Sequence, residues 1–182
     1  FLYQQNTMRD AMIAGMNLNI FNNHADRVKM ANLAQTVNVL QAVILTEDNK
    51  MLLTPTYYVM KMYNVHQDAQ LIPTSFNAPK YVFNGQELPA VNLSASKNAK
   101  GVVHVSLVNI DSKKENIVRL NLEELGLKKF TGEILTSKAI QDHNTFESPN
   151  KIIPKEFKDF SFKKNVLEIT LPPFSVIILE GK

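Results

Sequence analysis

The feature that most constrains the fold is a change of hydrophobic period near residue 71. Before it, apolar residues recur at helical spacing; after it, short runs alternate apolar and polar residues between turn-forming pairs. The sequence therefore predicts a helical segment followed by an antiparallel β-sandwich. Strands are expected at 81–83, 102–110, 116–122, 132–136, 160–162, 166–171 and 175–179. The separators Asn84-Gly85, Lys100-Gly101, Ser148-Pro149-Asn150 and Pro172-Pro173 each have a backbone reason to break a strand.

In the first part, Met8, Met12, Ile13, Met16 and Ile20 predict a helix over 7–22, with Thr7 as N-cap and Asp10 in the first turn. Gly15 inside it costs up to about 1 kcal/mol relative to Ala unless close packing needs the missing side chain. Residues 28–34 read as a short buried strand, whose small Ala31 and Ala34 suit the crowded interior of a closed parallel barrel. Gln35 then stands at the C-terminal end of that strand, the end that carries ligands in such barrels. A hairpin over 41–53, turned by Glu47-Asp48-Asn49-Lys50, leads to a second helix. Thr54 is its N-cap and Pro55 its first residue, ahead of Tyr57, Tyr58, Met60, Met62, Tyr63 and Val65.

Composition excludes several classes. With 45% hydrophobic and 20% charged residues in 182, the chain buries a substantial core. The net charge of +3 and pI near 9.0 are carried by scattered pairs such as Lys113-Lys114 and Lys163-Lys164, the pattern of solvated strand ends. Nucleic-acid binding would call for a basic face with interleaved aromatics. No apolar run approaches the roughly 20 residues needed to span a bilayer. There is no cysteine, and His24, His66, His104 and His143 lie too far apart for metal-ligand spacing. We expect no cofactor, metal, nucleic acid or membrane partner; the compartment is not legible.

The remaining candidates read as structural. His24, Asp26 and Arg27 resemble an acid/base cluster, but they precede the strand and so occupy the stabilising end of a barrel. His104 is expected as an exposed cross-strand residue. Glu123 and Glu124, adjacent near a strand end, point to opposite faces and cannot converge on one bond. Phe76, Tyr81, Phe83, Phe130, Phe146, Phe157, Phe160, Phe162 and Phe174 raise the alternative of an autonomous carbohydrate-binding or interaction module. Phenylalanine without tryptophan, however, favours core packing. Asn92-Leu-Ser94 matches a glycosylation acceptor.

Met8-Arg-Asp-Ala-Met12, the run from His24 through Met30-Ala-Asn-Leu-Ala-Gln-Thr-Val-Asn38 to Gln41, Leu53-Thr-Pro-Thr-Tyr-Tyr58 and Asn144-Thr-Phe-Glu-Ser-Pro-Asn150 together resemble the C-terminal part of glycoside hydrolase family 51 α-L-arabinofuranosidases. The resemblance implies the last strand and helices of a (β/α)8 catalytic barrel in residues 1–70, and a jelly-roll-like sandwich in 71–182. It implies hydrolysis of terminal α-L-arabinofuranosyl residues with retention. The two catalytic glutamates would lie on barrel strands four and seven, upstream of this chain, so no catalytic residue is expected here and the chain alone should be inactive. Gln35 matches the glutamine of the family's Ala-Gln-x-Val-Asn motif, which hydrogen-bonds arabinose; Asn32 and Asn38 are weaker candidates, suited to orienting the loop. The family is also often oligomeric.

A barrel end without its partners leaves apolar surface uncovered. The helical part is therefore expected to pack on the sandwich or on another copy of the chain.

Overall fold

The computed structural model describes residues 6–34, 36–39 and 42–182. Helix α1, Met8–Asn23, begins as expected: the Asp10 carboxylate accepts from the Thr7 backbone N–H and hydroxyl, each at 2.8 Å. The hairpin β1, Ile44–Glu47, and β2, Lys50–Leu53, turns at Asp48 in the left-handed region, and α2, Pro55–Tyr63, follows with the Thr54 hydroxyl accepting from the Tyr57 N–H. A 3₁₀ turn, Asn64–His66, ends the helical part.

The strands are β3 Gln70–Ile72, β4 Lys80–Phe83, β5 Gln86–Pro89, β6 Val91–Lys97, β7 Val103–Asn109, β8 Asn116–Asn121, β9 Phe130–Thr136, β10 Lys155–Glu156, β11 Phe160–Lys163, β12 Val166–Leu171 and β13 Ser175–Gly181. Among the described residues they form an antiparallel six-stranded sheet in the order β10-β9-β13-β7-β6-β3, facing a three-stranded sheet, β11-β12-β8. The β4–β5 hairpin pairs only with itself, turned by Asn84 and Gly85, both at positive φ, and it exposes Val82 and Phe83.

The central strands β6, β7 and β13 of the six-stranded sheet are buried on both faces, and the period of two assigns their side chains. Val103, Val105 and Leu107 of β7 join Ile177 and Leu179 of β13 and Leu93 of β6 in the core between the sheets, against Leu167, Ile169 and Leu171 of β12. Val108, Leu135, Val176 and Ile178 point the other way, into a second core with Met8, Met12, Val59 and Met62 of the helices. The helical part thus packs on the sandwich. Phe130 and Phe157 are buried in the first core and Phe76, Phe160 and Phe162 pack against it, so most of these aromatics fill the interior. Phe83 is exposed at the hairpin.

Strand β6 escaped the sequence reading because its alternate residues, Asn92, Ser94 and Ser96, are polar although they face the helices. Asn19 of α1 explains them. Its Oδ1 accepts from Ser94 Oγ at 2.9 Å, Ser106 Oγ at 2.6 Å and the Tyr63 hydroxyl at 3.0 Å, and its amide donates to the Asn92 carbonyl at 3.3 Å. Ser94 is fully buried beneath α1, so the Asn92-Leu-Ser94 tripeptide is closed to glycosylation in the folded chain.

Two expectations need correction. Residues 28–34 form no strand: Val28 N–H still bonds the His24 carbonyl at the helix end, and Met30, Asn32 and Ala34 are exposed. A parallel strand takes its ladder from neighbours on each side, and among the described residues none lies beside this segment. On α1, Ile13 and Ile20 point away from the sheet, 50% and 43% exposed, while Ala11, Gly15 and Asn19 face it. The helix is apolar on two faces, and only one is covered.

Gly15 is required by packing. A Cβ there would lie 2.9 Å from Val108 Cγ2 and 3.3 Å from the Tyr63 hydroxyl. Gly15→Ala is expected to destabilise by about 1–3 kcal/mol despite its better helix propensity, because the sheet beneath cannot retreat. Urea unfolding decides this; a stabilised variant would show that Val108 moves freely.

Candidate functional site

Gln35, the proposed sugar-binding residue, lies outside the described residues. The loop that follows it is held by its own backbone. Thr36 carbonyl accepts from the N–H groups of Val43 and Ile44, both at 3.1 Å, and Val37 bridges Ile44 in parallel. Asn38 sits at φ 56°; its N–H bonds the Ile44 carbonyl, its Nδ2 donates to Thr46 Oγ1 and its Oδ1 accepts from Thr46 N–H, both at 2.8 Å. Asn38 therefore orients the loop, whereas Asn32 is exposed.

The loop is fastened in turn to Thr54, whose N–H donates to the Val43 carbonyl at 3.0 Å and whose hydroxyl reaches the Ala42 and Val43 carbonyls at 3.1 and 3.2 Å. The Asn6 amide also donates to the Ala42 carbonyl. Beside it, the sandwich loop between β9 and β10 pairs with the start of α1, through the Met8 N–H to Asp142 carbonyl bond at 2.9 Å and the Thr7–His143 bridge. A lysine, Lys151, binds the Asp142 carboxylate at 2.7 Å and holds it below the usual carboxylate range.

The model of the α-L-arabinofuranosidase C-terminal domain matches residues 1–175. The intracellular exo-α-L-arabinofuranosidase of Bacteroides ovatus is 47% identical over 98% of this chain. A family 51 arabinofuranosidase from Xanthomonas axonopodis superposes on all of the chain with a TM-score of 0.97 at 42% identity. The chain belongs to the α-L-arabinofuranosidase C-terminal domain family. It spans 35% of the Bacteroides protein and 37% of the Xanthomonas one. An α-L-arabinofuranosidase from Thermotoga maritima, in its arabinose complex, superposes on 97% of the chain with a TM-score of 0.83 at 26% identity, the chain covering 39% of it. The resemblance carried by residues 8–12, 24–41, 53–58 and 144–150 is thus borne out.

Within this arabinofuranosidase C-terminal domain the other candidates are spread apart. Asp26 and Arg27 form an exposed pair 4.0 Å apart beyond α1, an arrangement worth little. Glu123 and Glu124 sit exposed in a 3₁₀ turn, Glu123–Leu125, and Glu133 is exposed on β9. Among the described residues no group of three His, Asp or Glu could hold a metal ion. His104 is 4% exposed, which corrects the expectation of a solvent-facing residue: the helices cover this face of the sheet. It is cross-strand as expected, opposite Glu180 and Ser96, with Nε2 3.2 Å from Glu180 Oε2.

His66, at the end of the 3₁₀ turn, lies over His104, the rings 6.5 Å apart. Its Nδ1 is 2.8 Å from Ser96 Oγ. Asn144 was legible only as part of a resemblance. It is buried, and what it ties together is 91 residues distant. Its Nδ2 donates to the Leu53 and Ile152 carbonyls at 2.9 and 3.0 Å, and its Oδ1 accepts from Ile152 N–H at 2.7 Å.

Proposed function

We propose that this chain is the C-terminal portion of a retaining α-L-arabinofuranosidase that removes terminal α-L-arabinofuranosyl residues from arabinose-containing glycans. The observation that carries the reading is the 47% identity across 98% of the chain to an exo-α-L-arabinofuranosidase. Residues 1–70 complete the catalytic barrel and 71–182 form the accessory sandwich. Retention needs two carboxyl groups about 5 Å apart, one a nucleophile and one an acid with a raised pKa. Both belong to the upstream barrel in this reading. The described carboxylates with shifted ionisation, Asp142, Glu147 and Glu180, are all held below their ordinary range instead, by Lys151, by the Glu147 backbone and by Lys182 respectively.

Gln35 supplies an amide that both donates to and accepts from sugar hydroxyls. The uncovered face of α1 supports the barrel assignment. Ile13, Leu18, Phe21, Leu33 and Met60 line an apolar groove of about 310 Å³ between α1, α2 and the 31–33 segment, a surface suited to packing against the rest of a barrel.

The test is nitrophenol release from p-nitrophenyl α-L-arabinofuranoside by this chain and by the chain joined to its upstream sequence. Activity in the longer protein alone is expected. Activity in the short chain would overturn the reading and return attention to Asp26, Glu123 and Glu133.

A further inference from the structure

We propose that Asn144, in the sandwich, is a positioning residue for glycoside hydrolysis, holding the loop after Gln35 in place through the β1–β2 hairpin. The proposal rests on the reading of Gln35 as the sugar-binding amide.

The path is continuous and made of hydrogen bonds. Asn144 Nδ2 holds the Leu53 carbonyl, and Leu53 pairs with Ile44 at the open end of the hairpin. Thr54, next in the chain, holds Ala42 and Val43 by N–H and hydroxyl. Val43 and Ile44 donate together to the carbonyl of Thr36, the residue after Gln35. Asn38 fastens the same loop to Thr46 from the outer side.

An amide that only stabilised its own loop would be satisfied by Ile152, which both donates to it and accepts from it. The bond to Leu53 does something else: it links the sandwich to the segment that carries the sugar-binding motif. The same loop also holds the first turn of α1, through Asp142 to Met8 and Ile140 to Arg9. Two segments that flank the barrel's ligand end in this reading are thus referenced to one sandwich loop. A sugar-binding group has to be held to about half an ångström, and a shift of about 1 Å costs up to about a hundredfold in rate.

The experiment uses the full enzyme containing this chain, with Asn144→Ala, Asn38→Gly and the double variant assayed on p-nitrophenyl α-L-arabinofuranoside below the unfolding transition. Asn144→Ala is expected to lower kcat at least tenfold with KM changed less than threefold. Asn38→Gly keeps a residue suited to positive φ on an exposed loop, and it is expected to lower kcat in the same way. The double variant should lose at least the product of the two single losses, since Asn144 and Asn38 hold the same loop by separate ties.

Wild-type kcat with only a lowered unfolding temperature would reduce Asn144 to a stability role and overturn the proposal. So would a double variant no slower than Asn38→Gly alone. If Asn144→Ala fails to fold, Asn144→Asp, which can still accept from the Ile152 N–H but cannot donate to the Leu53 carbonyl, takes its place, and unchanged kcat there overturns the proposal. A folded wild-type enzyme inactive on the arabinofuranoside defeats the functional reading first, and the proposal falls with it.

Discussion

Asn19→Ala is expected to destabilise the chain by about 3–4 kcal/mol and to lower its unfolding temperature by about 10 °C. Asn19 is fully buried, and its single Oδ1 is shared by the hydroxyls of Ser94, Ser106 and Tyr63. Truncation opens a polar cavity and removes the donor to the Asn92 carbonyl. The hydroxyls retain some alternatives, since Tyr63 also reaches the Gly15 carbonyl at 3.2 Å and Ser106 the Ser94 carbonyl at 3.2 Å. That is why the loss is not larger. Burial raises the Tyr63 phenol above its ordinary range, against the lowering effect of its bonds to Ser106 and Asn19, so the phenol stays a neutral donor.

Asn17→Ala is the control. Asn17 lies two residues away on the exposed side, its amide bonded to the Ile13 carbonyl of its own helix, and its loss is expected to be near neutral. Chemical unfolding of both variants makes the comparison. A loss below about 1 kcal/mol at Asn19 would mean that the seryl and tyrosyl hydroxyls re-pair among themselves at little cost.

Acidification is expected to weaken the fold between about pH 6.5 and pH 4, with His66 as a principal cause. Burial, and secondarily the neighbouring His104, lower the His66 pKa from 6.5 to about 4. In that window the unfolded chain binds a proton that the folded chain refuses, so stability rises with pH across it. The contribution is complete above about pH 6.5 and is lost as the pH falls towards 4. It amounts to about 3 kcal/mol in full, of which about 2 kcal/mol is gone by pH 5. The groups facing this site are Tyr63 on α2, Ser96 on β6, His104 on β7 and Glu180 on β13, the last held to Lys182 at 2.5 Å. Urea midpoints at pH 7 and pH 5 measure the loss. His66→Gln keeps a partner for Ser96 and should flatten the difference; the same pH dependence in both proteins would assign it to other groups.

How much of this was legible beforehand differs by residue. Strand β12 follows the expected 166–171, and β7, β8 and β13 differ only at their ends, because an alternating pattern is a local property of a pleated chain. The α2 start was equally plain, since Thr54 and Pro55 cap a helix whatever lies around them. The sugar-binding assignment of Gln35 came from a motif match, and it stands as a proposal. Strand β6 and the burial of His104 were not readable, because polar side chains on a strand look solvent-facing until a helix is seen to cover them.

The sequence by itself determined the two-part pattern, the helix caps, the turns and the family, all of which depend on residues close together in the chain or on a linear motif. Tertiary structure alone decided that Asn19 is the partner of Ser94 and Ser106, 75 and 87 residues away, and that Gly15 makes room for Val108. It also decided that Asn144 meets Leu53. The physical reason is the same in each case. A buried polar group or a missing side chain is a cost when read locally, and becomes stabilising only when a distant segment supplies its partner.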